Sequence, residues 1–383
     1  MKRGQLIGLF ICSLVPWIVG NGMVALLPIY AIQMGANPAV TGYFMSFAFL
    51  SLAVATPIAG FLADRFQRRK ALLFIAALIL IPVVYFLGRV TKFWQLVVLT
   101  GICWFSCGMS VALVNIMTGL FAREDERGRV FGIIGASIGT AALLGGLISG
   151  PLVDYRGYGF MFFVLAVIAV VAPIAVPFLT DTKVGPAKNI LRERVRNTFL
   201  PAFWLLLGAH LLAVLTNAVF NMGRSLSMHS LGFSSAAITS TMAISGVVMI
   251  ILPLLLGWLS DKIGRKPLLF LCYLSFALCS LILALSKSLW LFWLSSALLA
   301  IALTSNNIGA ALVTDLIPAD RLGIGLSLFQ NTFWLGNVIG FAIIGNFIFN
   351  LGMTMTLFLG MIPPCVAVAI LAIKWPPAAV TSS

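Results

Sequence analysis

The chain has 383 residues, of which 61% are hydrophobic and 9% are charged, and its mean hydropathy is +1.10. A soluble globular protein of this size cannot bury that much apolar surface, so the composition excludes a soluble fold and indicates a chain that uses lipid as its solvent. The formal net charge of +14 does not indicate a nucleic-acid partner, because no nucleic-acid-binding motif accompanies it.

Apolar stretches long enough to cross a bilayer recur along the chain. They are too long, and too uniformly apolar, to be the strands of a membrane β-barrel. They therefore predict an all-α integral membrane protein. We predict twelve transmembrane helices, at residues 5–33, 38–62, 71–90, 94–121, 129–152, 158–179, 199–226, 235–259, 267–286, 289–316, 322–349 and 354–374.

One charged loop sequence occurs twice in the chain. The first copy is Gly60-Phe61-Leu62-Ala63-Asp64-Arg65-Phe66-Gln67-Arg68-Arg69, and the second, 197 residues later, is Gly257-Trp258-Leu259-Ser260-Asp261-Lys262-Ile263-Gly264-Arg265-Lys266. Gly35 and Gly232 show the same offset, each just before a span. A repeat of this length predicts two related six-helix halves, at residues 1–179 and 199–383, joined by a polar cytoplasmic linker at 180–198.

The basic residues divide unequally between the two sides of the membrane. With the N-terminus inside, nineteen of the 24 Lys and Arg residues fall in inner loops and termini, and five fall outside. This positive-inside bias predicts a multi-pass protein of the cell inner membrane with both termini in the cytoplasm. We expect the lipid bilayer to surround a monomer.

At the repeated loop the chain resembles a known family, the major facilitator superfamily. The signature of that family after the second span is Gly-x-Leu-x-Asp-Arg-x-Gly-Arg-Arg/Lys. The first copy departs from it at Gln67, whereas the second keeps Gly264 but has Lys262 in place of Arg. The resemblance covers the whole chain and implies twelve helices in two pseudo-symmetric halves, but it says little about the substrate.

The resemblance also implies that the charged loops form a conformational latch, which holds the halves together at the inner face while the outside is open. Asp64 is expected to accept hydrogen bonds from the start of span eleven, and Asp261 from the start of span five, because helix N-termini present unpaired N–H groups. The alternative is that the loops only set topology and cap helices. The latch residues are Gly60, Asp64, Arg65, Arg68, Arg69, Gly257, Asp261, Lys262, Gly264 and Arg265.

Polar side chains at bilayer depth form the candidate substrate cavity, because lipid does not accommodate them. One stripe of span seven, from His210 to Arg224, carries four of them at spacings of 7, 4 and 3. Aromatic rings beside amides suit an uncharged or amphipathic organic ligand, although each residue can equally form an interhelical hydrogen bond. The candidates are Trp17, Asn21, Trp104, Asn115, His210, Asn217, Asn221, Arg224, Asn306, Asn307, Gln330, Trp334 and Asn337.

Two of these residues have alternative interpretations. Arg224 either attracts an anionic substrate or snorkels to the outer interface. His210 is the candidate proton carrier, because every acidic residue is placed in a loop or at a span end, and the alternative is a histidine that hydrogen-bonds its neighbours. Asp315, at the inner end of span ten, is a poorer candidate, and a facilitator without coupling is left open.

We expect a secondary active transporter that moves a small organic molecule by alternating access. Efflux, as by an antiporter that exchanges the molecule for protons, is the first interpretation, and uptake of a neutral metabolite such as a sugar is the alternative. An enzyme is not expected, because neither His210 nor His229 has an acid nearby in the sequence. No metal or cofactor is expected, since the six cysteines lie in apolar spans and no nucleotide-binding glycine motif is present.

Overall fold

The computed structural model of the protein describes residues 3–122, 126–181, 200–317 and 322–372. These residues form helices joined by short turns, and no strand occurs among them. They include 11 helical stretches long and apolar enough to cross a membrane, and one stretch, Arg129–Phe178, is long enough for two spans. The predicted all-α membrane fold with twelve transmembrane helices is therefore confirmed.

The helices follow the predicted spans closely. The first part of the chain forms α1 (Arg3–Val24), α2 (Leu27–Gln33), α3 (Pro38–Phe66), α4 (Arg69–Leu87), α5 (Phe93–Phe121), α6 (Arg127–Ala169), α7 (Val171–Ala175) and a short 3-10 turn at Val176–Phe178. The second part forms α8 (Pro201–Ser230), α9 (Ser235–Ile263), α10 (Arg265–Leu285), α11 (Leu289–Leu303), α12 (Ser305–Leu316), α13 (Leu322–Leu351), α14 (Met353–Leu359) and α15 (Ile362–Ala372).

Several spans differ from uninterrupted helices. Span one is divided between α1 and α2, span ten is divided at Thr304, and span twelve is divided between α14 and α15. Spans five and six, for which we predicted an intervening loop, form the single element α6 with a kink at Gly157 (φ 78°, ψ 179°). The positive φ, which glycine adopts without steric cost, lets one helix follow the other without a loop.

The predicted 197-residue repeat recurs in the backbone geometry. Gly35 (φ 90°) and Gly232 (φ 80°) both adopt a positive φ. In each turn the glycine N–H bonds to the carbonyl three residues earlier, and the next N–H bonds to the carbonyl five residues earlier. This pattern is the Schellman termination of a helix. The same termination therefore occurs twice, at equivalent positions of the repeat.

The helices group by contact into two compact units. The first comprises Met1–Lys188 and Arg224–Ile250, and the second comprises Asn189–Gly223 and Ile251–Ser383. In the first unit α1 packs on α5 and α6, and α5 packs on α3 and α4. In the second unit α10 packs on α11, α12 and α15, and α12 packs on α13. The predicted halves describe relatedness in sequence, whereas these units describe contacts, so the domain boundaries stay a prediction.

A seam between α6 and α9 explains why part of α9 joins the first unit. A Cβ atom built on Gly146 would lie 2.5 Å from the backbone N of Ala243, and one built on Gly139 would lie 2.9 Å from the backbone N of Ile250. Such distances leave no room for a side chain, so the two backbones touch. We call these glycines, with Gly150 and Gly246, the α6–α9 seam.

Candidate functional site

His210 lies at the centre of a cluster in the second unit that we call the His210 node. The node consists of His210 on α8, Tyr273 on α10, Asn306 on α12 and Phe329 on α13. His210 Nδ1 lies 3.2 Å from the Tyr273 hydroxyl, and His210 Nε2 lies 3.1 Å from Asn306 Oδ1. The imidazole stacks on Phe329 with a centroid distance of 4.3 Å. His210 and Tyr273 are both fully buried.

The partners of His210 determine its tautomer. Asn306 Oδ1 can only accept a hydrogen bond, so His210 Nε2 carries a hydrogen, and the neutral ring then accepts at Nδ1 from the Tyr273 hydroxyl. If Nδ1 gains a proton, it can donate to the same Tyr273 oxygen after the hydroxyl turns away. The node can therefore hold His210 in either protonation state without losing a hydrogen-bond partner.

The interruption of span ten positions Asn306 in this node. The helix stops at Leu303 and resumes at Ser305, and the Asn306 amide nitrogen donates to the Leu303 carbonyl at 3.4 Å. Thr304 Oγ1 lies 3.3 Å from Cys272 Sγ, which ties the break to α10. A helix break exposes carbonyls that a regular helix would satisfy, and the Asn306 side chain occupies one of them. The sequence pattern Thr304-Ser305-Asn306-Asn307 was the available signal for this break.

Three further amides of the second unit, Asn217, Asn221 and Asn337, are linked by hydrogen bonds and form what we call the amide ladder. Asn217 Nδ2 donates to Asn337 Oδ1 at 2.7 Å, and Asn221 Nδ2 donates to Asn217 Oδ1 at 3.0 Å. Asn337 Nδ2 donates to the Phe333 carbonyl at 2.9 Å. Asn217 and Asn337 are buried. These amides therefore join α8 to α13, as the interhelical alternative predicts.

Arg224 does not snorkel to an interface. Its side chain has 0% exposed surface, and its Nη2 donates to Met242 Sδ at 3.0 Å. Arg224 lies in the first unit, whereas the other three members of the predicted span-seven stripe lie in the second. The snorkelling alternative is therefore wrong, because the guanidinium is enclosed by protein between α8 and α9.

The candidate cavity residues of the first unit lie on α1 and α5. Trp104 has 3% exposed surface, and its ring tilts against Phe49 with a centroid distance of 5.2 Å. A Cβ atom on Gly20 would lie 3.4 Å from the six-membered ring of Trp104, so the indole lies beside the turn of α1 that carries Asn21. Among the described residues, neither Trp104 Nε1 nor Asn21 Nδ2 finds an acceptor.

The other predicted cavity residues belong neither to the His210 node nor to the amide ladder. Trp17 and Trp334 are half-buried. Three amide side chains are exposed in the structure: Asn115, Asn307 and Gln330. Their assignment to a substrate cavity stays a prediction.

The two signature turns differ at the position where the first copy lacks glycine. Gln67 adopts the left-handed conformation at φ 52°, and its Nε2 donates to the Asp64 carbonyl at 2.9 Å. Gly264 sits at φ 89°. Arg69 is buried and donates to Gln67 Oε1 at 3.1 Å. The local hydrogen bonds of Gln67 thus compensate for the missing glycine.

The latch itself stays a prediction. Asp64, Arg65, Arg68 and Lys262 are exposed, and a Cβ atom on Gly60 would meet no atom within 4 Å. The side chain of Asp261 and the surroundings of Gly257 lie outside the described part of the structure, as do residues 318–321, which precede α13.

Arg265, another latch residue, has partners of a different kind. Its Nη1 lies 2.6 Å from Asp315 Oδ1 and 3.1 Å from Thr314 Oγ1, and it also donates to the Ala311 carbonyl. Arg265 therefore ties the start of α10 to the end of α12 within the second unit. The ion pair also occupies Asp315, the poorer candidate for a proton carrier.

Sequence reasoning missed Asp154 as a functional candidate, because we placed it only as a loop acid. Asp154 Oδ1 accepts from the Ser235 N–H at 2.9 Å, and Asp154 Oδ2 accepts from the Ala236 N–H at 2.7 Å. Both carboxylate oxygens thus cap the N-terminus of α9, where unpaired N–H groups favour an anion. The sequence did contain a signal that another helix approaches this part of α6 closely, because Gly146 and Gly150 lie four residues apart just before Asp154.

Within the described residues, no group of three His, Cys, Asp or Glu side chains is placed to hold a metal ion. All six cysteines are free thiols; five of them are buried, and Cys365 is exposed. The His210 node offers hydrogen bonding and a titratable imidazole.

Comparison with known proteins shows what the chain is similar to in sequence and in fold. The chain is 28% identical over 262 residues to the Multidrug resistance protein MdtG of Citrobacter koseri, a match that spans 63% of each chain. It is 22% identical over 275 residues to the Multidrug resistance protein 2 of Bacillus subtilis, covering 68% of each chain. Its fold matches the crystal structure of a POT family transporter in complex with 5-aminolevulinic acid, with a TM-score of 0.78 at 14% identity over 96% of this chain and 94% of that one.

The family assignment rests on a match along nearly the whole sequence. The profile of the Major Facilitator Superfamily matches residues 9–223 and 206–382. The two matched segments agree with the repeat seen in the charged loops and in the helix terminations. The chain belongs to the Major Facilitator Superfamily.

Proposed function

We propose that the protein is a non-enzymatic secondary transporter that exports a small amphipathic organic molecule from the cell in exchange for protons. Export is supported by the relatives named for multidrug resistance. The positive-inside distribution of Lys and Arg supports a cytoplasmic location of both termini. Proton exchange is supported by the His210 node, and this single observation carries the coupling part of the proposal.

His210 suits a coupling role because of its burial, its hydrogen-bond partners and the charges around it. It is buried on a membrane-spanning helix, and both of its ring nitrogens have partners that tolerate a proton. Among the described residues, the ionisable side chain hydrogen-bonded to His210 is Tyr273, on α10. Arg265 and Asp315 neutralise each other, and Arg265 lies eight residues from Tyr273 along α10, which is about 12 Å of helix. Protonation of His210 would therefore add a positive charge to the ring, and among the described residues no carboxylate is hydrogen-bonded to the ring to neutralise that charge.

The first test is pH-driven transport by the full-length protein in inverted membrane vesicles, with ethidium as the probe. An acidic lumen should drive ethidium accumulation against its gradient in the wild type. His210→Gln keeps hydrogen-bonding groups but cannot titrate near neutral pH, so we expect it to abolish accumulation while downhill ethidium movement persists. His229→Gln, an exposed position on the same helix, is the matched control and should behave like the wild type.

The outcomes separate the parts of the proposal. Uphill accumulation that persists in His210→Gln would remove His210 as the proton carrier but leave export standing. No ethidium movement by the wild type, together with accumulation of a neutral sugar such as glucose in right-side-out vesicles, would favour the uptake alternative. Downhill movement alone, insensitive to the pH gradient in the wild type, would indicate a facilitator.

A further inference from the structure

The candidate cavity residues differ in whether the protein already uses their hydrogen-bonding groups. Asn217 and Asn337 bond to each other in the amide ladder, and Asn306 bonds to His210. Trp104 Nε1 and Asn21 Nδ2 are buried donors that, among the described residues, have no acceptor. A polar group that is already paired gains little by binding a ligand, whereas an unpaired buried donor gains a full hydrogen bond.

We propose that Trp104 and Asn21 form a hydrogen-bond-donating subsite of the first unit for an uncharged aromatic or amphipathic molecule that carries an acceptor such as a ketone or ether oxygen. The inference rests on the proposed function in one respect, because the molecule that occupies the subsite is the transported one. It goes beyond that function by naming which side chains recognise the molecule and which chemical group they recognise.

Trp104 is the stronger of the two donors. Its indole carries one N–H with a fixed direction, and this group cannot turn back to the carbonyls of its own helix. Thr100 and Ser110 on the same helix also have buried hydroxyls without a described partner. A hydroxyl can rotate towards a carbonyl of the preceding turn, so those two groups indicate a ligand less strongly.

The aromatic surroundings indicate the shape of the molecule. Trp104 lies against Phe49 at an interplanar angle of 30°, and its six-membered ring lies beside Gly20. Trp17 precedes Asn21 by four residues, so both side chains share one face of α1. Flat rings suit this environment because aromatic pairs favour offset and tilted contacts.

The charge of the subsite indicates an uncharged acceptor. Phe49, Trp104, Trp17 and Asn21 carry no ionisable group, and an isolated carboxylate is costly to bury without a countercharge. An indole N–H and an amide N–H₂ supply neutral donors, which suit a carbonyl or ether oxygen. The subsite therefore predicts selectivity between molecules that differ only in that oxygen.

The test compares two probes of nearly equal size, 2-acetylnaphthalene and 2-ethylnaphthalene, by titration calorimetry on the full-length protein in lipid nanodiscs. We expect the wild type to bind the ketone more tightly. Trp104→Phe keeps an aromatic ring but removes the N–H, so it should weaken ketone binding by about 3- to 10-fold and leave hydrocarbon binding unchanged. Asn21→Leu should have the same selective effect. Partition of each probe into lipid cancels when variants are compared.

The matched control is Trp94→Phe, because Trp94 lies on the same helix and is 61% exposed. This variant should keep the wild-type preference. The proposal is overturned if Trp104→Phe and Asn21→Leu both keep that preference, if the wild type does not distinguish the probes, or if it binds neither. Failure of the proposed function is a separate result, because a protein that moves no ethidium can still show the ketone preference.

Discussion

At the scale of single residues, the neighbours of a polar side chain decide whether it holds the fold together or remains available to a ligand. Asn217 and Asn21 are both asparagines on cavity helices predicted from the sequence. Asn217 bonds to Asn337 across α8 and α13, whereas the Asn21 amide nitrogen has no described acceptor. Sequence periodicity identified both positions, but it could not distinguish them, since the partner of each lies on another helix.

The amide ladder gives a stability prediction. Asn337→Leu removes the acceptor of Asn217 and leaves a buried amide without its partner, so it should lower the unfolding free energy by about 1–3 kcal/mol. The double variant Asn217→Leu with Asn337→Leu removes both partners and should cost less than the two single variants together. Thermal unfolding of the purified protein measures both effects. Asn350→Leu, an exposed position on the same helix, is the control. Additive losses in the double variant would contradict a coupled pair.

At the scale of helices, glycine acts by permitting backbone contact at some positions and has no packing role at others. Gly146 and Gly132 both lie on α6. A Cβ atom on Gly146 would lie 2.5 Å from the Ala243 N atom, whereas one on Gly132 would meet nothing within 4 Å. The two positions cannot be told apart from local sequence, because the difference lies in the approach of α9.

This contrast predicts opposite signs for the same substitution. Gly132→Ala should raise the unfolding free energy by up to about 1 kcal/mol, because alanine favours helix over glycine. Gly146→Ala should lower it by about 1–3 kcal/mol, because the added methyl group must separate two touching backbones. The midpoint of thermal unfolding reports both changes. A higher unfolding midpoint in both variants would show that α6 and α9 do not touch in the purified protein.

At the scale of the whole molecule, the sequence and the structure identify two carboxylates with related chemistry. The family resemblance predicts that Asp64 accepts hydrogen bonds from the start of span eleven. The structure shows Asp154 doing so at the start of α9, with both oxygens engaged. Each case uses the positive end of a helix as the partner of an aspartate. Asp154 was missed because its partner lies 81 residues later in the chain.

The latch hypothesis predicts a shift in access to the cavity. Asp64→Asn should leave the protein folded but favour the inward-open state, because it removes the charge that the latch requires. An Asn115→Cys probe in a Cys365→Ser background, where the other native cysteines are buried, should then label faster from the inner side and more slowly from the outer side. Asp181→Asn is the control, since Asp181 instead caps α4 through the Lys70 N–H at 3.1 Å. Equal labelling rates in Asp64→Asn and the wild type would contradict the latch.

The sequence by itself determined the membrane class, the twelve spans, the repeat and the family. Hydropathy and charge are properties of consecutive residues, and a repeat is visible as soon as the chain is compared with itself. Only the tertiary structure decided that Arg224 is enclosed beside Met242, that His210 has two hydrogen-bond partners, and that Asp154 caps α9. Those outcomes depend on contacts between helices distant in sequence, and the same polar residue can be paired, buried or available according to which helix packs against it.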